Sequence, residues 1–546
     1  MSGIIGAINI ADNRKGNPAL ACLSHRMPNK DSVFEFEGGY LQGDHGISHE
    51  QPWHRNQWLL VADIDMFDMQ DLVSKVQAAG VACDADSSGD LLLAGWELLG
   101  GELFNHIEAD FALALINTKT LQLVLVRDRF GTRPLYYYQQ QSQTFFASEY
   151  KAIIQQQPES ARLDVDILQY LHSRKTVPAD RTLMQEIYQV PPQSYVIINT
   201  DGTKSIHRYW QPTLSLRNNS LEYFSNQLAA AFLGAVGKRI HQDQPIIVSL
   251  SGGIDSIAIL GAVRHLEPER TVHTFTVGDN NQDQELVWAE KVAKYYGTEH
   301  CPIVLKADIL AESLPKLAWH LEDPIARTET LMGYVLAQAA SKVGRIILRG
   351  DGADGLFGGM PRHTLVARAQ RWPFIRFFVD PLYGFTQTGV LPQNPVTGLA
   401  IKTLLGRKIP PYPHVTGARG LTYKTQLPPA GKELLNRLLV SSPHQALPML
   451  LQKMERVHAT FGMRCISPFL DKQVVELAYQ IPSKFKNDGN NDKIVLRKAV
   501  AGFVPAEFRS RPKHPQRIKE DRAFCDQLET VARSLLTQDR VTAKGL

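Results

Sequence analysis

The chain has 546 residues, which is too long for one hydrophobic core and predicts two or three domains. Its net charge of +4 does not indicate a nucleic-acid coat, and its five scattered cysteines, with no CxxC pair, indicate neither a zinc site nor a disulfide framework. No uncharged apolar run has the length of a membrane span, and the N-terminal residues lack the pattern of a signal peptide. We therefore expect a cytoplasmic protein.

Short apolar runs bounded by turn residues dominate roughly the first 200 residues and predict strands. One stretch, "SGDLLLAGWELLG", has the apolar spacing of a helix instead. The predicted strands are "GIIGAINI", "WLLVADIDMF", "FALALIN", "LQLVLVRD", "LYYYQQ", "TFFASE" and "YVIINTDGT".

The pattern changes after the polar segment "LSLRNNS" at 214–220, which predicts a boundary between domains 1–213 and 221–546. Beyond it, helical patterns such as "LEYFSNQLAAAFLGAVGKRI" alternate with the short buried runs "PIIVSL", "TVHTFTVG" and "RIILRG". Such alternation predicts an α/β domain with a parallel sheet. Residues 361–424 are rich in Pro, Gly and aromatics and predict an irregular insertion.

The stretch "SLSGGIDSIAIL" at 249–260 predicts a strand, a glycine turn and a helix. Glycines let the backbone approach an anion, and the following helix adds its positive N-terminal end. We therefore expect this loop to bind phosphate. The pattern of a Walker loop is absent, and the loop instead contains an aspartate that can hold Mg²⁺. The alternative is a structural turn with the aspartate as a helix cap. The candidate nucleotide-binding residues here are Ser249, Ser251, Gly252, Gly253, Asp255 and Ser256, with Asp255 also the candidate metal ligand.

Further motifs along the chain resemble those of the asparagine synthetases in kind and order. In the first domain they are "VRDRFGTRPLYYY", "FFASEYKAI" and "IYQVPPQSYVII", and in the second "VHTFTVG", "LEDPIA", "LRGDGADGLFGG", "MRCISPFLD" and "KIVLRKAVAGFVPAEFRSRPK". The resemblance implies an N-terminal Ntn-hydrolase-like αββα sandwich of the glutaminase type. A parallel-sheet nucleotide-binding synthetase domain with helical additions would follow it.

The resemblance also implies roles for residues outside the glycine loop. Asp354 would be the second Mg²⁺ ligand, Val277 and Gly278 would flank the adenine, and Gly350 would end a strand at the same crevice. Lys513 would neutralise charge on the leaving pyrophosphate. The alternative for this lysine is a solvated basic tail, since Arg509, Arg511, Arg517 and Lys519 surround it.

Two carboxylates are candidates for handling the amine that attacks the activated substrate. Asp351 stands where asparagine synthetases have glutamate and β-lactam-forming relatives have tyrosine, and Glu455 falls near a later glutamate of those relatives. A carboxylate close to the amine can orient it or take its proton. The alternative for Glu455 is a salt bridge with Arg456 or Arg464.

The first domain departs from the family where glutamine would react. Ser2 replaces the cysteine nucleophile, and Asp63-Ile64-Asp65 replaces Asn-Gly-Glu, which removes an amide that would stabilise an oxyanion. No arginine in "LQGDHGISHE" corresponds to the one that binds glutamine's carboxylate. These changes predict an inactive glutaminase domain, and the rival hypothesis is a serine amidohydrolase.

Together these features predict an enzyme that uses Mg²⁺ and ATP to adenylate a carboxylate, which an amine then attacks. In having an inactive glutaminase domain and no such tyrosine, the chain resembles the macrolactam-forming cyclases of lasso peptides. The substrate would be a precursor peptide, and a leader-peptide-processing protease would be a partner. The aromatic stretch 372–413 would form a peptide-binding wall, and the alternative for it is ordinary core packing. The alternatives are a ligase for ammonia or a small amino-acid-like amine, a tRNA-modifying enzyme, and a non-enzymatic scaffold.

Overall fold

The computed structural model of the chain describes residues 2–10, 19–27, 33–44, 51–84, 87–174, 177–278, 280, 283–305, 309–324, 329–371, 434–445, 447–511, 522–535 and 537. The described residues form two compact units. The first comprises Met1–Arg239, Asp351–Gln452 and Ser467–Val500, and the second comprises Ile240–Gly350, Lys453–Ile466 and Ala501–Leu546.

The helices of the described residues are numbered in chain order. They are α1 Ala19–Cys22, α2 Gln70–Ala78, α3 Ser88–Leu99, α4 Tyr150–Gln156, α5 Val165–Arg174, α6 Leu221–Gly237, α7 Ile254–Leu266, α8 Gln284–Tyr296, α9 Ile309–Leu321, α10 Glu329–Ala340, α11 Ala353–Phe357, α12 Pro361–Arg371, α13 Leu434–Gln445, α14 Leu447–Ala459, α15 Lys472–Ala478, α16 Ile494–Ala499, α17 Ala506–Arg509 and α18 Arg522–Leu535.

The strands are numbered in the same way. They are β1 Gly3–Ile8, β2 Phe34–Phe36, β3 Gly39–Asp44, β4 Trp53–Arg55, β5 Trp58–Asp68, β6 Glu108–Asn117, β7 Leu123–Arg127, β8 Tyr136–Gln140, β9 Gln143–Ala147, β10 Ile187–Gln189, β11 Ser194–Ile198, β12 Lys204–Arg208, β13 Ile246–Ser249, β14 Val272–Gly278, β15 Glu299–Val304, β16 Ile346–Leu348 and β17 Arg464–Ile466.

Two six-stranded antiparallel sheets form the centre of the first unit, in the orders β10-β8-β9-β1-β3-β2 and β12-β11-β7-β6-β5-β4. Side chains alternate across each strand, so β1 places Ile4 and Ile8 in the core between the sheets and Ile5 and Ala7 on the other face. That other face packs against α1 and α4, while α2 and α3 pack beside the second sheet. The αββα sandwich is confirmed.

A five-stranded parallel sheet forms the second unit, in the order β15-β14-β13-β16-β17. The strand order reverses direction around β13, since β14 lies on one side of it and β16 on the other. One core cluster joins Ile247, Phe275 and Val277 of the sheet to buried residues of α9 and α10. The predicted parallel α/β sheet is confirmed, and the reversal at β13 creates a crevice beyond its carboxyl end.

Most predicted elements are present, including all seven strands of the first domain and the helix Ser88–Leu99. The strand-rich prediction overlooked α2, α4 and α5 in the same region. The irregular insertion predicted for 361–424 is wrong for Pro361–Arg371, which form α12, because proline at the first helical position is compatible with a helix. Residues 372–424 of that prediction, including the aromatic stretch 372–413, lie outside the described residues.

The described part of the chain contains no helix that is both long and apolar enough to cross a bilayer.

Candidate active site

The glycine loop connects the central strand β13 to helix α7, as the sequence predicts. Ser249 ends β13, and Gly253 is the N-cap residue of α7, which carries Asp255 in its first turn. Because glycine has no side chain, it makes no side-chain cap hydrogen bond to the first-turn amides of this helix. The N-terminal end of α7 therefore meets the crevice with backbone donors and a carboxylate.

Two serines hold the loop in shape. The backbone N–H of Ser251 donates to Ser256 Oγ at 3.0 Å, and Ser256 Oγ donates to the Gly253 carbonyl at 3.0 Å. The hydroxyls of Ser251 and Ser256 lie 3.2 Å apart. Ser256 is buried, so its hydroxyl has a structural function in the turn, whereas Ser251 is half-buried at the crevice.

The neighbouring strand ends supply the rest of the crevice within the second unit. Gly350 follows β16, and a Cβ atom placed on it would lie 2.8 Å from Asp255 Cβ, so glycine permits the close approach of the two segments. Val277 is buried at the end of β14, where Gly278 is also tightly packed against Asp283 and Leu286. The structure therefore brings Asp255 and Gly350 together, at adjacent strand ends.

Asp351 and Asp354 come shortly after Gly350 in the sequence and belong to the first unit. Asp354 lies in the first turn of α11, and its Oδ1 is 2.6 Å from Lys493 Nζ. Lys493 is buried and has a left-handed backbone conformation with φ of 51°. The sequence analysis did not select this lysine, although it opens the motif "KIVLRKAVAGF".

Glu455 lies in α14 and is buried, with an exposed fraction of 1%. The following residue, Arg456, is also buried and forms an ion pair with Glu322 at 2.7 Å, while its Nη1 donates to the Leu321 carbonyl. Glu322 belongs to the motif "LEDPIA" and has a positive φ of 60°. Arg456 thus anchors that loop and has its own carboxylate partner.

Lys513 lies outside the described residues. Its neighbour Arg511 is described, and its side chain is only 9% exposed. Arg511 Nη1 donates to the Gly252 carbonyl at 2.7 Å. This contact could not be predicted from the sequence, because a basic residue in a basic segment gives no local signal of a long-range partner.

The position equivalent to the glutaminase nucleophile is filled by buried charges. The Ser2 hydroxyl donates to the Asp63 carboxylate, and both side chains are almost completely buried. Arg26 Nη1 lies 3.7 Å from Asp63 Oδ2, and Arg133 Nε lies 3.9 Å from Asp63 Oδ1. Asp63 is therefore a partner in buried ion pairs and in a hydrogen bond with Ser2.

A second buried carboxylate extends this cluster. Glu149 accepts hydrogen bonds from Arg26 and Lys151 and lies 2.9 Å from His25 Nε2. Burial favours the neutral acid, but Lys151, His25 and Arg26 together hold the pKa of Glu149 well below its ordinary value. We call Ser2, His25, Arg26, Asp63, Asp65, Arg133, Glu149 and Lys151 the front charge cluster.

A glycine loop of the phosphate-binding type, at the point where the strand order of a parallel sheet reverses, is typical of a nucleotide-binding α/β domain. The chain belongs to the asparagine synthase family, whose model, described as "Asparagine synthase", matches residues 227–546. A second model, "Glutamine amidotransferase domain", matches residues 1–210. The protein is thus an enzyme of the asparagine synthetase type, an ATP-dependent amide ligase.

Similar proteins include two from Bacillus subtilis (strain 168). The chain is 26% identical over 527 residues to its glutamine-hydrolyzing asparagine synthetase 1, covering 90% of this chain and 82% of the relative. It is 24% identical over 480 residues to its glutamine-hydrolyzing asparagine synthetase 3, covering 84% and 75%. Among solved structures, the glutamine phosphoribosylpyrophosphate amidotransferase of B. subtilis shares 11% identity at a TM-score of 0.28, covering 64% of this chain and 81% of that chain.

Proposed function

We propose that this enzyme joins a side-chain carboxylate to an amine by way of an acyl-adenylate. The carboxylate oxygen attacks the α-phosphorus of ATP and pyrophosphate leaves. The amine nitrogen then attacks the acyl carbon, its proton passes to a base, and AMP leaves as the amide forms. The observation that carries the proposal is the loop Ser251–Ser256 at the reversal point of the sheet, with Asp255 packed against Gly350.

The pyrophosphate end of ATP would bind at this loop. The first-turn amides of α7 have no partner within the helix, because the first four N–H groups of any helix lack one. The positive end of the helix favours phosphate, and Gly253, where an added Cβ atom would meet nothing closer than 3.5 Å, lets it approach the backbone closely. Val277 and Gly278, at the end of the adjacent strand β14, would flank the adenine.

A Mg²⁺ ion would supply charge neutralisation for the phosphates. Asp255 suits a metal ligand, because it is half-buried in the first turn of α7, and Mg²⁺ prefers carboxylate oxygens together with phosphate and water. Asp354 would be the second ligand, and the nearby Lys493 adds a positive charge at that carboxylate. Lys513 would serve the leaving pyrophosphate, as expected from its position in the sequence.

The attacking amine would belong to the substrate. The front charge cluster buries Ser2 against Asp63, which supports a first domain that releases no ammonia from glutamine. Glu455 and Asp351 would receive or orient the amine, since a positioned carboxylate can take its proton. We therefore propose macrolactam closure, in which the N-terminal amine of a lasso precursor peptide joins an internal Asp or Glu, with a leader-processing protease as partner.

The second candidate is a ligase for free ammonia or a small amine. It is supported by the names of the relatives, which are asparagine synthetases matched over 90% and 84% of this chain. In that case aspartate or a similar amino acid would be adenylated, and ammonia from solution would replace the ammonia of glutamine.

The two candidates differ in which substrate mixture forms AMP. The purified enzyme would be given Mg²⁺ and ATP with either aspartate and ammonium or a precursor peptide encoded beside its gene, with the leader removed. Macrolactam closure predicts AMP together with a peptide lighter by one water. The same peptide with an acetylated N-terminus is the matched control, because its carboxylate can be adenylated but its amine cannot attack. AMP and asparagine from aspartate, with an unchanged peptide, would contradict macrolactam closure.

A further inference from the structure

Arg511 connects the glycine loop to helix α8. It lies two residues after the end of α17, and two different nitrogens of its guanidinium each donate one hydrogen bond. Nη1 donates to the Gly252 carbonyl at 2.7 Å, and Nη2 donates to Glu285 Oε1 at 2.8 Å. Both side chains of the ion pair are less than a tenth exposed, so solvent screens this contact weakly.

An aromatic ring supports the same guanidinium. The Arg511 Cζ atom lies 5.2 Å from the centroid of the Trp288 ring, one helical turn beyond Glu285 in α8. The guanidinium is therefore held by a carbonyl, a carboxylate and an aromatic ring. A planar fork can satisfy all three, whereas the ammonium of lysine is a point charge and cannot.

The loop conformation is matched to this arginine. Gly252 has a positive φ of 34°, a value that side-chain-bearing residues rarely adopt. A Cβ atom at this position would collide with Arg511 Nη1 and lie 2.8 Å from Trp288 Cδ1. Glycine at 252 is thus needed because Arg511 and Trp288 fill the space that a side chain would take.

We propose that Arg511 is a positioning residue that keeps the glycine loop in its anion-binding conformation. It acts through the Gly252 carbonyl, and Glu285 balances its charge, so its contribution is to geometry more than to the net charge of the crevice. The proposal rests on the proposed function of the loop as the binding site for the phosphates of ATP. It assigns to Arg511 a role distinct from that of Lys513, which would contact pyrophosphate itself.

The experiment is calorimetric titration of the full-length protein with Mg²⁺–ATP and, separately, with inorganic pyrophosphate and Mg²⁺. Arg511→Met should weaken both affinities by roughly ten- to a hundredfold, the range expected when a hydrogen bond to a charged group is lost. Arg511→Lys should rescue only a small part, because it keeps the charge and loses the fork. Arg509→Met is the matched control, with the same charge change two residues away, and should bind nearly as the wild type does.

A kinetic measurement separates positioning from general damage. In exchange of labelled pyrophosphate into ATP, Arg511→Met should raise KM for ATP by the same factor and leave KM for the carboxylate substrate unchanged. Trp288→Leu removes the stacking surface but neither hydrogen bond, and should raise KM for ATP several-fold. This second variant keeps the proposal testable if Arg511→Met fails to fold, which thermal unfolding would reveal.

The possible failures are distinguishable. Wild-type affinity for ATP in both Arg511→Met and Trp288→Leu would overturn the positioning role and leave the proposed function intact. Full rescue by Arg511→Lys would show that charge alone matters and would also overturn it. If the wild-type protein itself binds neither ATP nor pyrophosphate, the proposed function fails and this inference fails with it.

Discussion

The candidate site in each half of the chain contains a serine and an aspartate, and their surroundings are opposite. Ser2 and Asp63 are almost completely buried and hydrogen-bonded to each other, with Arg26 and Arg133 nearby. Ser251 and Asp255 are half-buried beyond the end of a parallel strand, beside the half-buried Gly253 and the N-terminus of α7. Burial with full charge pairing suits structure, whereas partial exposure beside backbone donors suits binding.

If the first half is inactive, as its sequence predicts, this contrast explains how its fold persists without the chemistry. Removing one partner from a buried ion pair leaves an uncompensated charge, so a buried cluster persists only while every charge keeps its partner. The front charge cluster meets that condition within a sandwich that retains both sheets and the helices on them. The first domain belongs to the same compact unit as Asp354 and Lys493, and can therefore support them structurally.

The largest expected effect is the loss of activity when the carboxylate of the loop is removed. Asp255→Ala should reduce AMP formation to background, because the charge of the nucleotide is no longer neutralised by a metal held at this position. Asp354→Ala should do the same, as followed by AMP release at saturating Mg²⁺ with folding checked by circular dichroism. Asp243→Ala, an exposed aspartate just before β13, should retain activity. Turnover at the wild-type rate in Asp255→Ala would refute its assignment as a metal ligand.

Glu455→Gln should separate activation from attack. Adenylation should survive, while amide formation should fall by roughly a hundred- to ten-thousandfold, the usual cost of losing a positioned base. Lys513→Ala should instead depress both reactions. The measurements are pyrophosphate exchange and product mass, with the exposed Glu269→Gln as control. An equal loss of both signals in Glu455→Gln would make Glu455 a structural residue.

The front charge cluster should be visible in stability rather than in catalysis. Glu149→Gln leaves Arg26 and Lys151 partly uncompensated, and breaking a buried pair costs about 3–5 kcal/mol of unfolding free energy. The pKa of Glu149 is lowered in the folded state. Its contribution to the free energy of unfolding is therefore present at pH values above its ordinary pKa of 4.5, and is lost as the pH falls towards its lower pKa in the folded state.

Urea unfolding of wild type and variant should therefore differ most near neutral pH and converge in acid. Glu159→Gln, an exposed glutamate a few residues away, should have little effect at any pH. A constant difference between wild type and Glu149→Gln across the whole range would contradict the electrostatic explanation.

The smallest expected effect is that of restoring the family nucleophile. Ser2→Cys should not create glutaminase activity, because Asp63 still occupies the position of the oxyanion donor. Glutamate release should equal the no-enzyme background in both wild type and variant. Release by the wild type would support the serine amidohydrolase hypothesis, and release by Ser2→Cys alone would show that the oxyanion site is intact.

The sequence analysis predicted the local elements well and the long-range contacts poorly. Short apolar runs bounded by turn residues predicted β1 and β5, and the run "PIIVSLSGGIDSIAIL" predicted β13, the loop and α7 in order. These predictions succeed because periodicity and glycine act within a few residues of chain. The prediction of an irregular insertion is wrong for helix α12, because a proline gives the same signal in a loop and at the start of a helix.

The type of loop, the parallel α/β class and the family resemblance can be predicted from the sequence, because each depends on residue types at short spacings. Which charged groups meet depends on the three-dimensional fold. Lys493 reaches Asp354 across 139 positions of the sequence, as the difference between their numbers shows, and Arg511 reaches Gly252 across 259. Ion pairs and hydrogen bonds of this kind form wherever the fold places donor beside acceptor, and no local pattern encodes that distance. For the same reason, an arginine in a basic segment proved to be a buried contact of the glycine loop.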